Sequence, residues 1–157
     1  MSQRVGVVRF PGTNCEFDTI DAIRALDGQA EVLWHGQSDL QNVDAIVIPG
    51  GFAHGDYLRC GAIAKFSPIM DSIHAFAQDG GPVLGICNGF QVLTEMEADN
   101  RIVFRYTDNP NGSLADIAGI CNRAGNVVGM MPHPERATSH LLGSTDGTSL
   151  LKSLLAA

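Results

Sequence analysis

A cysteine at position 87 stands between two glycines at spacing two, Gly85-Ile86-Cys87-Asn88-Gly89, where a short apolar run ends and helix-like sequence begins. That spacing is the pattern of a nucleophile elbow, a strained strand-to-helix turn whose flanking positions must be small. A helix starting there points its free N–H groups and positive dipole end at the sulfur, which favours the thiolate, the attacking species. Cys87 is therefore the candidate nucleophile, and the backbone N–H of Asn88 a candidate donor to the oxyanion of an acyl-transfer intermediate. A thiol nucleophile needs a base, and the base needs an orienting group. His133 and Glu135, in the proline-stiffened run Pro132-His133-Pro134-Glu135, supply both types. In Gly50-Gly51-Phe52 the N–H groups of Gly51 and Phe52 offer further oxyanion donors. Taken singly, these patterns also suit an inert buried cysteine, a polar surface turn and a tight connection. Their convergence on one rim is what favours chemistry.

The elements that must bring them together are legible as alternating strands and helices. Residues 4–9 form a valine-rich run suited to a strand buried on both faces, hence to a parallel sheet. After the turn Phe10-Pro11-Gly12-Thr13-Asn14, with Asn14 as the expected helix cap, Phe17, Ile20, Ile23 and Leu26 recur at helical spacing. Residues 30–34 and 45–49 are expected strands. From Ala62 a helix is expected on Phe66, Ile69, Met70, Ile73 and Phe76, broken by Asp79-Gly80-Gly81-Pro82 before the elbow strand. Beyond the elbow helix lie a strand at 102–106, a hairpin of 117–121 and 127–131 turning at Gly125, and a short terminal helix at 150–155. The order implies a three-layer α/β sandwich with a mostly parallel, flavodoxin-like sheet in one domain spanning 1–157, and sites in that architecture form beyond the carboxyl ends of strands. Gly50-Gly51, Cys87 and His133 each follow a strand.

Composition narrows the function classes. With 157 residues, 45% of them hydrophobic, the chain can bury one core, and no apolar run is long enough to span a bilayer. A net charge of −7 and a pI near 5.0 argue against nucleic acid or anionic membrane as partners. The four cysteines are scattered, and His35, His54, His74 and His140 lack the spacing of metal ligands, so no metal is expected and a reducing cytoplasm fits best. Neither G-x-G-x-x-G nor G-x-x-x-x-G-K-[ST] occurs, so no dinucleotide or ATP site is expected in this chain. Arg59, in the loop around Asp56-Tyr57-Leu58, is a candidate for holding a carboxylate or a partner.

Pro49-Gly50-Gly51-Phe52, Gly55-Asp56-Tyr57-Leu58-Arg59, Gly85-Ile86-Cys87-Asn88-Gly89-Phe90-Gln91 and Met131-Pro132-His133-Pro134-Glu135-Arg136 together resemble the class I (triad) glutamine amidotransferases. Within that family they are most similar to glutaminase subunits of phosphoribosylformylglycinamidine synthase, a resemblance that Phe10-Pro11-Gly12-Thr13-Asn14-Cys15, Asn111-Gly112-Ser113 and Gly143-Ser144-Thr145-Asp146-Gly147 extend along nearly the whole chain. The resemblance implies that Cys87 attacks the side-chain amide of glutamine while His133, oriented by Glu135, moves the proton. It places oxyanion and substrate contacts at Gly51, Phe52, Asn88 and Gln91. It also implies that ammonia passes to a large synthetase subunit, accompanied by a small accessory subunit, with ATP and Mg on that partner, in purine biosynthesis. One departure stands out. Cys87 and His133 are 46 positions apart, about half the family separation, so a segment near 96–100 that would help wall the glutamine pocket is missing. A catalytically impaired, partner-binding remnant is the corresponding alternative.

A glutamine-like electrophile should therefore alkylate Cys87 fastest, because only that cysteine combines an elbow, a helix start and a nearby base. Peptide mapping after brief exposure checks this. Equal labelling at Cys15, Cys60 or Cys121 would contradict it.

Overall fold

The computed structural model describes residues 3–57, 61–94 and 101–156; Arg59 and the connection at 95–100 lie outside the described residues. Within them a seven-stranded sheet has the order β2-β1-β3-β4-β7-β6-β5, formed by β1 (Arg4–Arg9), β2 (Gln29–Trp34), β3 (Ala45–Ile48), β4 (Val83–Ile86), β5 (Arg101–Arg105), β6 (Ile117–Cys121) and β7 (Val127–Met130). β1 pairs in parallel with β2 and β3, β3 with β4, and β4 with β7, while β6 runs antiparallel to both β7 and β5. The mostly parallel three-layer architecture expected from the alternating pattern is what the chain adopts.

Two apolar cores follow from sheet alternation. On one face Val5, Val7, Val47, Leu84 and Ile86 pack with Ile20 and Ile23 of α1 (Glu16–Ala25) and Leu151 of α4 (Gly147–Leu154). On the other, Val8, Ile46 and Ile48 meet Ile69 and Ile73 of α2 (Pro68–Gln78) and Val92 of α3 (Asn88–Thr94). Register decides where the loops emerge. Ile48 pairs with Gly85, and Ile86 with Met130, so β3, β4 and β7 end level with one another. The segments starting at Pro49, Cys87 and Met131 therefore leave the sheet side by side.

Coverage of the sheet is uneven. A groove of about 640 Å³ opens over β4, β7 and β5, lined by Leu84, Phe104, Val128, Met130, Leu150 and Leu154, and reaches His133. Parallel strands normally have both faces covered, so this groove is a place where the layer is thin.

Three local expectations are corrected. Asn14 does not cap α1: Cys15 precedes the helix without a side-chain capping bond, and Asn14 Oδ1 instead accepts from Cys15 Sγ at 3.4 Å. Phe17, placed by spacing on the apolar face, is 56% exposed and carries the Arg9 guanidinium 5.6 Å above its ring. The helix expected from Ala62 is a 3₁₀ turn at Ala64–Phe66 followed by α2, whose first residue is Pro68. Proline suits a first helical position, lacking the N–H that would go unused there, and pushes the preceding Ser67 into extended backbone, which separates the two pieces. Phe66 consequently faces solvent.

At the end of β2, His35 Nδ1 lies 3.0 Å from Ser67 Oγ, and its ring meets that of His54 edge-on at 5.3 Å. Burial, aided by His54, holds the His35 pKa below the ordinary 6.5. The unfolded chain takes up this proton more readily, so the stability contributed by neutral His35 is present above the unfolded value and is lost as pH falls through the depressed folded value. Urea titrations at about pH 7.5 and about pH 5.5 should show lower stability in acid, and His35→Asn should reduce that difference. An unchanged difference in the variant would contradict the assignment.

Candidate active site

Cys87 has φ +51°, a left-handed conformation for a residue with a side chain. Its N–H donates to Met130 O at 2.7 Å and its carbonyl accepts the Gln91 N–H at 3.2 Å, so the strained residue is fastened to β7 on one side and to α3 on the other. The flanking glycines are steric necessities. A Cβ on Gly89 would lie 1.8 Å from Ile48 O, and one on Gly85 would lie 2.5 Å from Leu93 Cδ1. The elbow is pressed against the end of β3, and no larger residue fits between them. Because α3 begins at Asn88, that residue's N–H has no carbonyl one turn earlier in the helix to accept it.

The Asn88 side chain is buried and ties the elbow to the loop after β3. Its Oδ1 accepts from Ala53 N at 3.0 Å, and its Nδ2 donates to Asp56 Oδ1 at 3.0 Å and to Gln91 Oε1 at 3.3 Å. The Gln91 carboxamide oxygen is thus held by Asn88. Asp56, part of the Gly55–Arg59 motif but given no role by the sequence, belongs to the site through this bond.

The expectation for Phe52 needs correction. Its N–H donates to Gly12 O at 3.0 Å, because Thr13 and Gly51 form an isolated antiparallel bridge that aligns the two loops. That N–H is committed to the scaffold, while the Phe52 side chain is 60% exposed. Gly51 has φ +141°, and a Cβ there would lie 2.7 Å from Asn14 N, so the close approach of these loops requires glycine.

His133 Nδ1 and Glu135 Oε1 are 2.5 Å apart, with the glutamate side chain fully buried and the histidine 23% exposed. This pairing assigns the Nδ1 proton to the bond with Glu135 and leaves Nε2 with its lone pair, the tautomer a general base requires. The imidazole lies against Gly50, where an added Cβ would come within 2.6 Å of His133 Cε1. Pro134 opens a 3₁₀ turn, Pro134–Arg136, that carries Glu135 back toward the ring.

Cys15 enters the same neighbourhood from the end of β1, a position that only its adjacency to the Pro11-Gly12-Thr13-Asn14 turn could have suggested. It is buried, its Sγ accepts from Arg136 Nη2 at 3.2 Å, and Arg136 also reaches Asp18 Oδ2 at 3.3 Å. Burial pushes the Cys15 thiol above its ordinary pKa, with Arg136 pulling the other way. Cys15, His133 and Glu135 place possible ligand atoms within 4.8 Å of one another. His35 and His54 form the separate aromatic cluster with Phe10 and Trp34. The arrangement of elbow thiol, helix-start N–H groups and carboxylate-held imidazole is suited to acyl transfer through a thioester.

Comparison with known proteins agrees with this chemistry. The chain matches the CobB/CobQ-like glutamine amidotransferase domain over residues 2–102 and 96–148. The phosphoribosylformylglycinamidine synthase subunit PurQ of Rubrobacter xylanophilus is 40% identical over 215 residues, spanning 98% of each chain, and that of Streptomyces coelicolor is 42% identical over 224 residues, spanning 99% of each. A chain in the structure of PurLQS from Thermotoga maritima superposes with a TM-score of 0.93 at 31% identity, covering 99% of both chains. Alignments of 215 residues exceed the 157 of this chain, so these relatives carry internal residues with no counterpart here. The family match falls in two stretches that overlap at 96–102.

Gly89→Ala should destabilise the fold by about 3 kcal/mol or more, since the clash is with backbone and cannot be relieved by a rotamer change. Gly80→Ala, where nothing lies within 4 Å of the added carbon but φ is +93°, should lose only about 1–2 kcal/mol to left-handed strain. Denaturant titration compares them, and equal losses would contradict the close contact between elbow and β3.

Proposed function

The chain belongs to the PurQ subunits of phosphoribosylformylglycinamidine synthase, within the CobB/CobQ-like glutamine amidotransferases, and we propose that it hydrolyses glutamine through Cys87, His133 and Glu135. The observation that carries this reading is the 2.5 Å pairing of a buried Glu135 with His133 on the strand end next to the left-handed Cys87.

The Cys87 sulfur, having passed its proton to His133 Nε2, attacks the δ-carbonyl carbon of glutamine. The carbonyl oxygen takes the negative charge, and the N–H groups of Asn88 and Gly51 are the donors that meet it. Phe52 supports the same wall through its loop rather than through its N–H. As the C–N bond breaks, His133 returns the proton to the departing ammonia and a glutamyl thioester remains. Water, deprotonated by the same imidazole, then attacks the thioester, and glutamate leaves as the thiol is restored. Glu135 keeps the imidazole in one tautomer and stabilises its cationic form between these transfers. Glutamine and water thus become glutamate and ammonia.

The ammonia passes to a partner. The structural relative is a PurLQS assembly, which supports a large synthetase subunit and a small accessory subunit as partners of this chain. The absence of phosphate-cradling motifs from the sequence is consistent with ATP and Mg being held by the partner, and with no cofactor on this subunit. Among the described residues no helix is long and apolar enough to cross a membrane, and a cytoplasmic location is the natural one for this supply step. The shortened connection at 95–100 bears on how well glutamine is held, because a thinner pocket orients substrate less well.

In the complex with its synthetase subunits, His133→Ala should lower glutamine-dependent turnover by about 10²–10⁴-fold, while Glu135→Gln retains a measurable remainder. Ammonium-dependent turnover should be unchanged in both. Wild-type glutamine kinetics in His133→Ala would overturn the assignment of the base.

A further inference from the structure

We propose that Cys15, His133 and Glu135 form a binding site for a borderline-soft divalent cation such as zinc, and that occupancy switches the glutaminase off. The inhibitory half of this proposal rests on the proton-transfer role given above to His133 and Glu135; the binding half does not.

The donor set is a thiol, an imidazole and a carboxylate, all within 4.8 Å of one another. Sulfur and nitrogen with one carboxylate oxygen is a ligand mixture that selects zinc over magnesium or calcium, whose sites are built from oxygen alone. The second observation is Glu135 Oε2, an atom of a 3% exposed residue with no hydrogen-bond partner. Its companion Oε1 is bonded to His133, so the free oxygen is a buried acceptor awaiting a donor or a cation.

Gly50 lets the ring and the sulfur approach each other. An added Cβ there would approach His133 Cε1 to 2.6 Å, His133 Nε2 to 3.4 Å and Cys15 Sγ to 3.4 Å, so ring and sulfur converge above a residue with no side chain. Zinc bonds of about 2.0–2.3 Å set tetrahedral ligand atoms roughly 3.3–3.8 Å apart. Cys15 needs to close on the pair by only about 1 Å, while His133 and Glu135, hydrogen-bonded at 2.5 Å, part to that spacing by side-chain rotation. Among the described residues Arg136 is the one cation beside the sulfur, at 3.2 Å, and it has Asp18 as a second partner at 3.3 Å. As the cation binds, Cys15 releases its proton to solvent and coordinates as thiolate, and His133 coordinates through Nδ1 while its ring proton moves by way of solvent to Nε2, which removes the lone pair of the base; Arg136 remains as a hydrogen-bond donor to the sulfur or turns fully to Asp18.

Coordination withdraws the base and its orienting carboxylate together. Cys15 has no part in the glutaminase steps, which separates cation sensitivity from basal activity.

The test titrates the reduced full chain with zinc chloride by calorimetry, alongside Cys15→Ser, Cys87→Ser and Glu135→Gln, with circular dichroism to check folding. Expected are one zinc per wild-type chain, affinity at least about tenfold weaker in Cys15→Ser and Glu135→Gln, and little change in Cys87→Ser. Cobalt should give a sulfur-to-metal charge-transfer band that disappears in Cys15→Ser. Zinc should also protect Cys15 from alkylation in the wild-type chain, a reading that stands whether or not the serine variant folds. No binding in the wild type, undiminished binding in folded Cys15→Ser, or loss of binding in Cys87→Ser would each overturn the site. In the synthetase complex, zinc should suppress glutamine-dependent turnover more strongly in the wild type than in Cys15→Ser. If zinc binds as expected but turnover survives, the site stands while the inhibitory role and the proton-transfer assignment fail.

Discussion

Cys87 can hold its left-handed backbone only because the chain on both sides is pinned, and that constraint reaches through the whole sheet. Its N–H is held by Met130 at the end of β7, its carbonyl begins α3, and the glycine two residues on lies against the carbonyl of Ile48 at the end of β3. A residue in this region of backbone space is strained by a kcal/mol or more. The strain persists because three parallel strands end level with one another and leave the turn no room to relax.

The same level strand ends assemble the rest of the site. β7 delivers His133 and the 3₁₀ turn that returns Glu135 to it; β3 delivers Gly50, whose missing side chain makes room for the imidazole. β1 delivers the turn that fastens Phe52 and introduces Cys15. Asn88 then joins elbow and loop through hydrogen bonds to Ala53 and Asp56, so the position of the proposed oxyanion donors depends on a buried amide rather than on loop stiffness alone. The groove over β4, β7 and β5 is the exception to this close construction. It lies where the sheet continues beyond α4, in a chain whose relatives carry additional internal residues.

Much of this was legible in the sequence because it follows from short-range rules. The valine-rich run of β1, the glycine pair around Cys87 and the Asn122–Asn126 turn each report their local structure directly. Pro-His-Pro-Glu reported a geometry too, since two residues of spacing across a proline-started turn bring glutamate back onto histidine. What escaped was set by contacts distant in sequence. Asn14 has the composition of a cap, but its side chain turns to Cys15 instead. The Phe52 N–H is an oxyanion donor by pattern and a bond to Gly12 in the fold, a pairing across 40 residues that no local spacing announces. Phe17 and Phe66 match helical periodicity yet face solvent, one beneath Arg9 and one stranded ahead of Pro68. Cys15 and Arg136 meet across 121 positions, and only the sheet register brings them together.

The central claim is that the thiol at the elbow becomes acylated by glutamine. Rapid acid quenching of the synthetase complex with radiolabelled glutamine, followed by peptide mapping, tests it most directly. Expected is label held as a base-labile thioester on the peptide containing Cys87, accumulating further in Glu135→Gln and absent in Cys87→Ser. Label on the peptide of Cys15 or Cys121, or full glutamine-dependent turnover in Cys87→Ser, would contradict it.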